Sequence, residues 1–221
     1  MKDERHVLMI FPHPDDETFS SAGTIASYIE NGVPVTYACL TLGQMGRNLG
    51  NPTFATRESL PYIREKELEA AMKVIGITDL RKMGLRDKTV EFEPHEQMDD
   101  MVKTLIEETN PSVIISFYPK FAVHPDHEAT AEAVVRTVGR MPKEKRPRLQ
   151  LVAFSNDAPD ILGEPDILND ISQYKEIKLK AFEAHKSQTG PFLKQLASPE
   201  VGGETQSFLE VEPYWTYHFD N

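Results

Sequence analysis

Short unbroken apolar runs alternate along this chain with longer segments whose apolar residues return at helical spacing. The run "HVLMIF" (6–11) reads as a buried strand, and "PVTYACLTL" (34–42), the short "LRKMGL" (80–85), the β-branched "SVIISFYP" (112–119) and "LQLVAF" (149–154) read as further strands. Between them lie helical patterns. "TFSSAGTIASYIENG" (18–32) is stopped by Asn31-Gly32, and 56–76 is helical from about Leu60 with Gly76 as its stop. "EQMDDMVKTLIEETN" (96–110) is closed by Asn110-Pro111, and "PDHEATAEAVVRTVG" (125–139) carries Pro125 in its first turn, where a missing N–H costs nothing. A further helix is expected over 171–187, and one or two short strands in "SFLEVEPYWTYHF" (207–219). The segment 156–170 is acidic and turn-rich and reads as a lid or a subunit contact.

This βαβα alternation predicts a single α/β domain over 1–221. Its expected form is Rossmann-like: an open, mostly parallel sheet with helices on both faces. Such sheets bind ligands beyond the carboxyl ends of their strands. The segments that follow the strands are therefore where chemistry is expected.

Two of those segments contain His-Pro-Asp. "PHPDDE" (12–17) follows the first strand, and "KFAVHPDHEA" (120–129) follows "SVIISFYP". His13 and Asp16 lie three apart across a turn, and His127 reaches the same edge if the two strands are near neighbours. Two imidazoles and one carboxylate with an open fourth position make the pattern of a catalytic metal site. The histidines favour Zn²⁺, although the same set holds Fe²⁺ in a facial triad. Asp15 is the candidate general base for water at such a metal. His124 is placed to stabilise an oxyanion as imidazolium or to protonate a leaving amine. Asp126 is a candidate to fix a histidine tautomer. The bland alternative is that Asp15, Asp16 and Thr18 merely cap a helix while Asp126 and Glu128 complement a helix dipole. The coincidence of both motifs at one sheet edge favours the functional reading, and Glu17 keeps the capping role.

Composition narrows the partners. Of 221 residues 39% are hydrophobic and 27% charged, which excludes a disordered chain. The net charge of −11 repels nucleic-acid phosphates and anionic lipid, so neither is an expected partner. The lone cysteine, Cys39, lies in an apolar run and reads as a small buried hydrophobe. No intrachain disulfide can form, no apolar stretch approaches a membrane span, and a cytoplasmic location is expected.

The paired motifs "PHPDDE" and "HPDH" resemble those of the LmbE-like (PIG-L) zinc-dependent N-deacetylases, which act on N-acetylglucosaminyl compounds. The resemblance extends through "AGTIASYIENG", "IREKELEAAMKVIG" and "KAFEAHKSQTG". Within the family, "TLGQMGRNLGNP", "MGLRDKTVEF" and "YPKFAVHPDHEAT" are most similar to a group that deacetylates N-acetylglucosaminyl malate in bacillithiol biosynthesis. Other relatives cleave amides of thiol conjugates. By motif position the resemblance implies His13, Asp16 and His127 as zinc ligands, Asp15 as base, and His124 with Asp126 beside it. It adds Arg64 near the metal and places His185 near the substrate pocket. It also allows a homo-oligomer, which no sequence signature specifies. The chain departs from many members at Gln44, where an acid is common, and at Ala122, where some relatives carry a tyrosine.

From spacing alone Arg64, in "REKELE", reads as a surface i, i+4 partner. Arg47 and Asn48, in the Gly-rich loop after the second strand, are candidates to hold a substrate carboxylate. Arg86 and Asp87 are weaker candidates of the same kind. The basic stretch 140–148 reads as a solvated loop. Two other classes compete with the hydrolase. A non-haem iron oxygenase would depend on oxygen and usually uses a β-barrel. A nucleotide- or sugar-binding module would carry G-x-G-x-x-G after the first strand, where "PHPDDE" stands.

Overall fold

A computed structural model of the chain describes residues 4–47, 50, 52–196 and 207–219. In chain order its elements are β1 (Val7–Phe11), α1 (Asp16–Glu30), β2 (Val35–Cys39), α2 (Leu60–Ile75), β3 (Asp79–Lys82), α3 (His95–Thr109), β4 (Val113–Phe117) and α4 (Pro125–Gly139). Then come β5 (Arg148–Val152), α5 (Ala158–Leu162), β6 (Ile167–Asp170), α6 (Lys175–Ala184), α7 (Lys186–Leu196) and β7 (Val211–Thr216). The strands form one sheet in the order β3-β2-β1-β4-β5-β7-β6. β1 to β5 are parallel, and β7 runs antiparallel to both β5 and β6. The expected α/β architecture is present, with helices on both faces.

Side-chain alternation explains the layering. Val7, Met9 and Phe11 of β1 pack with Ile25 and Tyr28 of α1, Leu68 and Met72 of α2, and Ala181 of α6. Leu8 and Ile10, pointing the other way, pack with Val102 and Leu105 of α3 and Val134 and Val138 of α4. All five residues of β1 are fully buried, which is why the sequence shows a continuous apolar run there. Each such side chain contributes roughly 1.5–3 kcal/mol of burial.

β1 lies between β2 and β4, with Met9 opposite Tyr37 on one side and Ile115 on the other. The chain leaves β1 towards β2, and β4 starts the opposite half of the sheet. This is the topological switch point, and the segments after β1 and β4 meet beside it.

Two expectations change. The segment 156–170 is not a bare lid: it contains α5 and β6, and β6 pairs with β7 from Ile167 opposite Tyr214 to Asp170 opposite Val211. "ILND" has little intrinsic strand preference, so the pairing with β7 decides its conformation. The single helix expected over 171–187 is instead α6 and α7, broken at His185 (φ −84°, ψ 49°). α7 runs on through Pro191. Proline has no N–H for the Ser187 carbonyl four residues earlier, and Gln188 Nε2 donates to that carbonyl at 3.0 Å. Cys39 is buried and unbridged, as its surroundings predicted. Among the described residues no helix is long and apolar enough to cross a membrane.

Candidate metal centre

The turn after β1 is shaped by hydrogen bonds rather than by capping. Asp15 sits at φ 107°, ψ −26°, and its side chain makes no cap bond. A non-glycine residue there costs about 1–3 kcal/mol, a cost that persists only where neighbours fix the backbone. Three contacts do so. His13 N–H donates to Asp16 Oδ2 at 2.8 Å, Asp15 N–H donates to Glu17 Oε2 at 3.0 Å, and Arg64 Nη2 donates to the Pro14 carbonyl. Glu17 is therefore not the plain helix-start residue the sequence suggested. It is fully buried and also accepts from Thr18 Oγ1 (2.8 Å) and from His185 Nε2 (2.8 Å), with the Tyr37 hydroxyl 3.2 Å away.

Opposite this turn, α4 begins with His124 as its N-cap and Pro125 in its first turn. Its first turn brings His127 to the same point. His13 Nδ1 lies 3.1 Å from His127 Nε2, Asp16 Oδ1 3.3 Å from His127 Nε2, and Asp16 Oδ2 3.6 Å from His13 Nδ1. Tetrahedral zinc with bonds of about 2.0–2.1 Å needs ligand atoms roughly 3.3 Å apart. The triangle has that size.

The remaining ring nitrogens set the tautomers. His127 Nδ1 donates to the Ala122 carbonyl at 3.0 Å, which leaves Nε2 as a lone pair facing the centre. Phe117 stacks on the His127 ring at 4.0 Å and 13°. His13 Nε2 lies 3.1 Å from Asp126 Oδ2 and 3.2 Å from Asp87 Oδ1, so a proton is held there and Nδ1 is the nitrogen turned towards the centre. Asp126 is fully buried and is itself pinned by the amides of Lys88 (2.7 Å) and Val90 (3.2 Å). Burial opposes charge on His13, but the bonds to Asp126 and Asp87 outweigh it and raise the imidazole to about 10. A field that holds a proton this firmly also favours a metal cation. Asp16 moves the other way: burial raises its carboxyl, but His127 and His13 bring it below the ordinary range.

His124 also stands within ligand distance of His13 and His127. Its Nδ1, however, already accepts the Asp126 amide at 3.2 Å. That bond leaves the proton on Nε2 and makes the neutral ring a donor. Burial and then the nearby His13 and His127 lower its pKa, which favours the neutral ring over the imidazolium. The donor set His13, His127 and Asp16 fits a metal better, because the Asp16 oxygens face His13 Nδ1 and His127 Nε2 and no backbone amide occupies either nitrogen.

Arg64 is 3% exposed, not a surface residue. Its Nη1 donates to the Gly43 carbonyl at 3.1 Å, and Nη2 meets Asp15 Oδ2 at 3.2 Å. The guanidinium needs room that only glycines leave. A Cβ on Gly43 would stand 1.9 Å from Nη1, and one on Gly46 would stand 2.6 Å from it. Burial, opposed by Arg64 and reinforced by Asp16, raises the Asp15 carboxyl to about 6.

These groups line a cleft of about 300 Å³ with Phe19, Gly46, Asp87 and Lys88. A larger hollow of about 500 Å³ lies between α3 and α4, but it holds none of the histidines. Asp87, a minor candidate from sequence, is 4% exposed and holds the Met45 amide at 2.7 Å as well as His13. Its carboxyl stays at about 2, because the contact with His13 overcomes burial. Other candidates lie elsewhere. His185 is fully buried behind Glu17 and has no surface in the cleft. Arg47 is exposed and is not among the cleft-lining residues. Arg86 is exposed too, and Asn48 lies outside the described residues.

Residues 8–138 match the PIG-L family, described as GlcNAc-PI de-N-acetylase. The chain belongs to this family. It is 51% identical over 221 residues to a probable N-acetyl-alpha-D-glucosaminyl L-malate deacetylase 2 of Bacillus anthracis, covering 99% of this chain and 98% of that one. It is 46% identical to the protein of the same description in Bacillus subtilis, covering 99% of this chain and all of the other. Among solved structures, the N,N'-diacetylchitobiose deacetylase of Pyrococcus horikoshii superposes with a TM-score of 0.73 at 27% identity. That match covers 98% of this chain and 85% of the other. A 4-carboxy-2-hydroxymuconate hydratase from Pseudomonas putida also reaches 0.73, at 15% identity, and shows the fold alone. The PIG-L chain described here thus carries its paired motifs on the fold shared with those enzymes.

Proposed function

We propose that this chain hydrolyses the acetamide of an N-acetylglucosaminyl compound, with N-acetylglucosaminyl malate as its substrate, releasing acetate and the free amine. The observation that carries the reading is the triangle of His13 Nδ1, His127 Nε2 and Asp16, with Asp15 beside it in the same cleft. The names of the Bacillus relatives, near-complete in coverage, support the malate conjugate over a thiol conjugate. The oxygenase and nucleotide-binding alternatives receive no such support.

His13, His127 and Asp16 would hold the metal, and their two-nitrogen, one-oxygen set suits Zn²⁺. When bound, Zn²⁺ supplies Lewis acidity that polarises the amide carbonyl and acidifies a water. The protein groups do the rest. Asp15, with a pKa of about 6, is ionised at neutral pH and takes the proton of the attacking water. Arg64 holds the Asp15 carboxylate in place. His124, neutral with its proton on Nε2, donates to the oxygen that gains charge as the carbonyl carbon becomes tetrahedral. The proton held by Asp15 then passes to the departing amine as the C–N bond breaks.

The test is acetate release from N-acetylglucosaminyl malate by zinc-loaded protein. Asp15→Asn should cut kcat by about 10²- to 10⁴-fold while leaving bound zinc unchanged. His13→Ala should lose both zinc and activity. Full activity in either variant rejects the mechanism.

A further inference from the structure

The carboxylates of the cleft each have a partner, whereas one cation of its lining has none among the described residues. Asp15 is matched by Arg64 at 3.2 Å. Asp87 and Asp126 share the His13 Nε2 proton at 3.2 and 3.1 Å. Asp16 faces His13 Nδ1 and His127 Nε2 at 3.6 and 3.3 Å. Lys88 lines the same cleft, is exposed, and makes no ion pair among the described residues. Arg64, the other lysine or arginine of the cleft lining, is buried and committed to Asp15 and the Gly43 and Pro14 carbonyls.

The Lys88 backbone is held as firmly as the site itself. Its φ is +64°, and its amide donates to Asp126 Oδ2 at 2.7 Å, the oxygen that also meets His13. A cation anchored through the carboxylate that orients His13 sits at a fixed place on the rim. In a chain of net charge −11, an anionic substrate needs such a local attraction to enter a cleft walled by carboxylates.

We infer that Lys88 is a specificity-determining residue that receives a carboxylate of the substrate's aglycone beside the hydrolytic centre. This rests on the deacetylase reading above and deepens it. It moves the anion contact from Arg47, the candidate of the sequence, to a residue that lines the cleft. An exposed lysine binds as a point charge, so its effect falls on ground-state affinity and is screened by salt.

The experiment compares N-acetylglucosaminyl malate with the methyl glycoside of N-acetylglucosamine, which carries no carboxylate. Lys88→Met keeps the backbone amide that Asp126 needs and removes the charge. It should raise KM for the malate conjugate by about 3- to 30-fold, leave kcat near wild type, and leave the neutral substrate unaffected. Lys88→Arg should restore most of the KM. Raising ionic strength should erode the preference for the malate conjugate in wild type and do little in Lys88→Met. Calorimetry with the product glucosaminyl malate should show the same loss of affinity without turnover. Equal KM changes for both substrates, or none for either, overturn the assignment. Wild-type protein that releases acetate from neither substrate overturns the deacetylase reading. Equal product affinity in wild type and Lys88→Met then overturns the subsite independently.

Discussion

The two helical layers of this sheet are built differently. Below α3 and α4 the core is aliphatic; its charge cluster, a buried Asp99 with a part-exposed Arg136 and an exposed Arg140, sits at the edge, and Asp126 is buried where α4 meets the site. Below α1, α2, α6 and α7, charged groups go fully inside. Glu17 meets His185, Lys178 meets Glu212, and Glu67 accepts from both the amide and the hydroxyl of Ser187. Desolvating such groups is expensive unless an opposite charge or hydrogen bonds meet them, and here each carboxylate and Lys178 is met, while His185 Nδ1 and Arg64 Nε stay without a hydrogen bond. The layer that carries buried charge is also the one from which Asp15, Asp16 and Arg64 arise. Charge inside this face fixes the catalytic turn, whereas on the other face, apart from Asp126 at the site itself, the charge cluster lies at the edge of an aliphatic core.

The largest effect expected from this difference is at Lys178, which is 1% exposed. Its Nζ donates to Glu212 Oε1 at 2.8 Å, and the same carboxylate takes the α1 amides of Gly23 (3.0 Å) and Thr24 (2.7 Å). Lys178→Met strands a buried carboxylate and should cost about 3–5 kcal/mol by urea unfolding. The double variant Lys178→Met with Glu212→Gln should recover part of it. A loss below about 1 kcal/mol, as at a surface pair, would erase the contrast between the layers.

The next effect separates stability from chemistry on the same face. Glu17→Gln places an amide where four donors converge, and should cost about 1–3 kcal/mol. Freed from Glu17, the strained backbone of Asp15 relaxes, and kcat should fall by about 10- to 100-fold with bound zinc unchanged. A lowered melting temperature with an unchanged kcat would make Glu17 a purely structural residue.

These buried charges also mark the limit of what the sequence reveals. The strands, the order of helices and the edge that carries both His-Pro-Asp motifs follow from apolar periodicity, which is local. His13, Asp16, His127, Asp15, His124 and Asp126 could be proposed because strand ends in such a sheet converge. From spacing alone Arg64 and Glu17 could not, because "REKELE" and a glutamate at a helix start look the same whether solvated or buried; Arg64 entered only through the family resemblance. Their burial is decided by partners distant in sequence: Asp15 and the backbone of Gly43 for Arg64, and His185 for Glu17. The glycines at 43 and 46 were the one available trace of the Arg64 contact, since a side chain at either would collide with it. β6 was hidden for the same reason, as its strand character comes from β7.

The smallest effect is expected on the aliphatic face. Arg136 Nε reaches the Asp99 oxygens at 2.8 and 2.9 Å, and Arg140 Nη1 adds 2.6 Å to one of them. Burial raises the Asp99 carboxyl, but the two arginines outweigh it and hold it below the usual range. A depressed folded-state pKa gives stability that is present above the unfolded value of about 3.9 and is lost as pH falls through the folded value. Asp99→Asn should therefore cost about 1 kcal/mol or less at pH 7, and the gap to wild type should close below about pH 4. Because Arg140 is largely exposed, added salt should narrow the gap as well. Urea unfolding of both proteins across this range measures it, with kcat at pH 7 unchanged. A cost of several kcal/mol, insensitive to salt, would place Asp99 with the buried charges of the opposite layer and end the distinction between them.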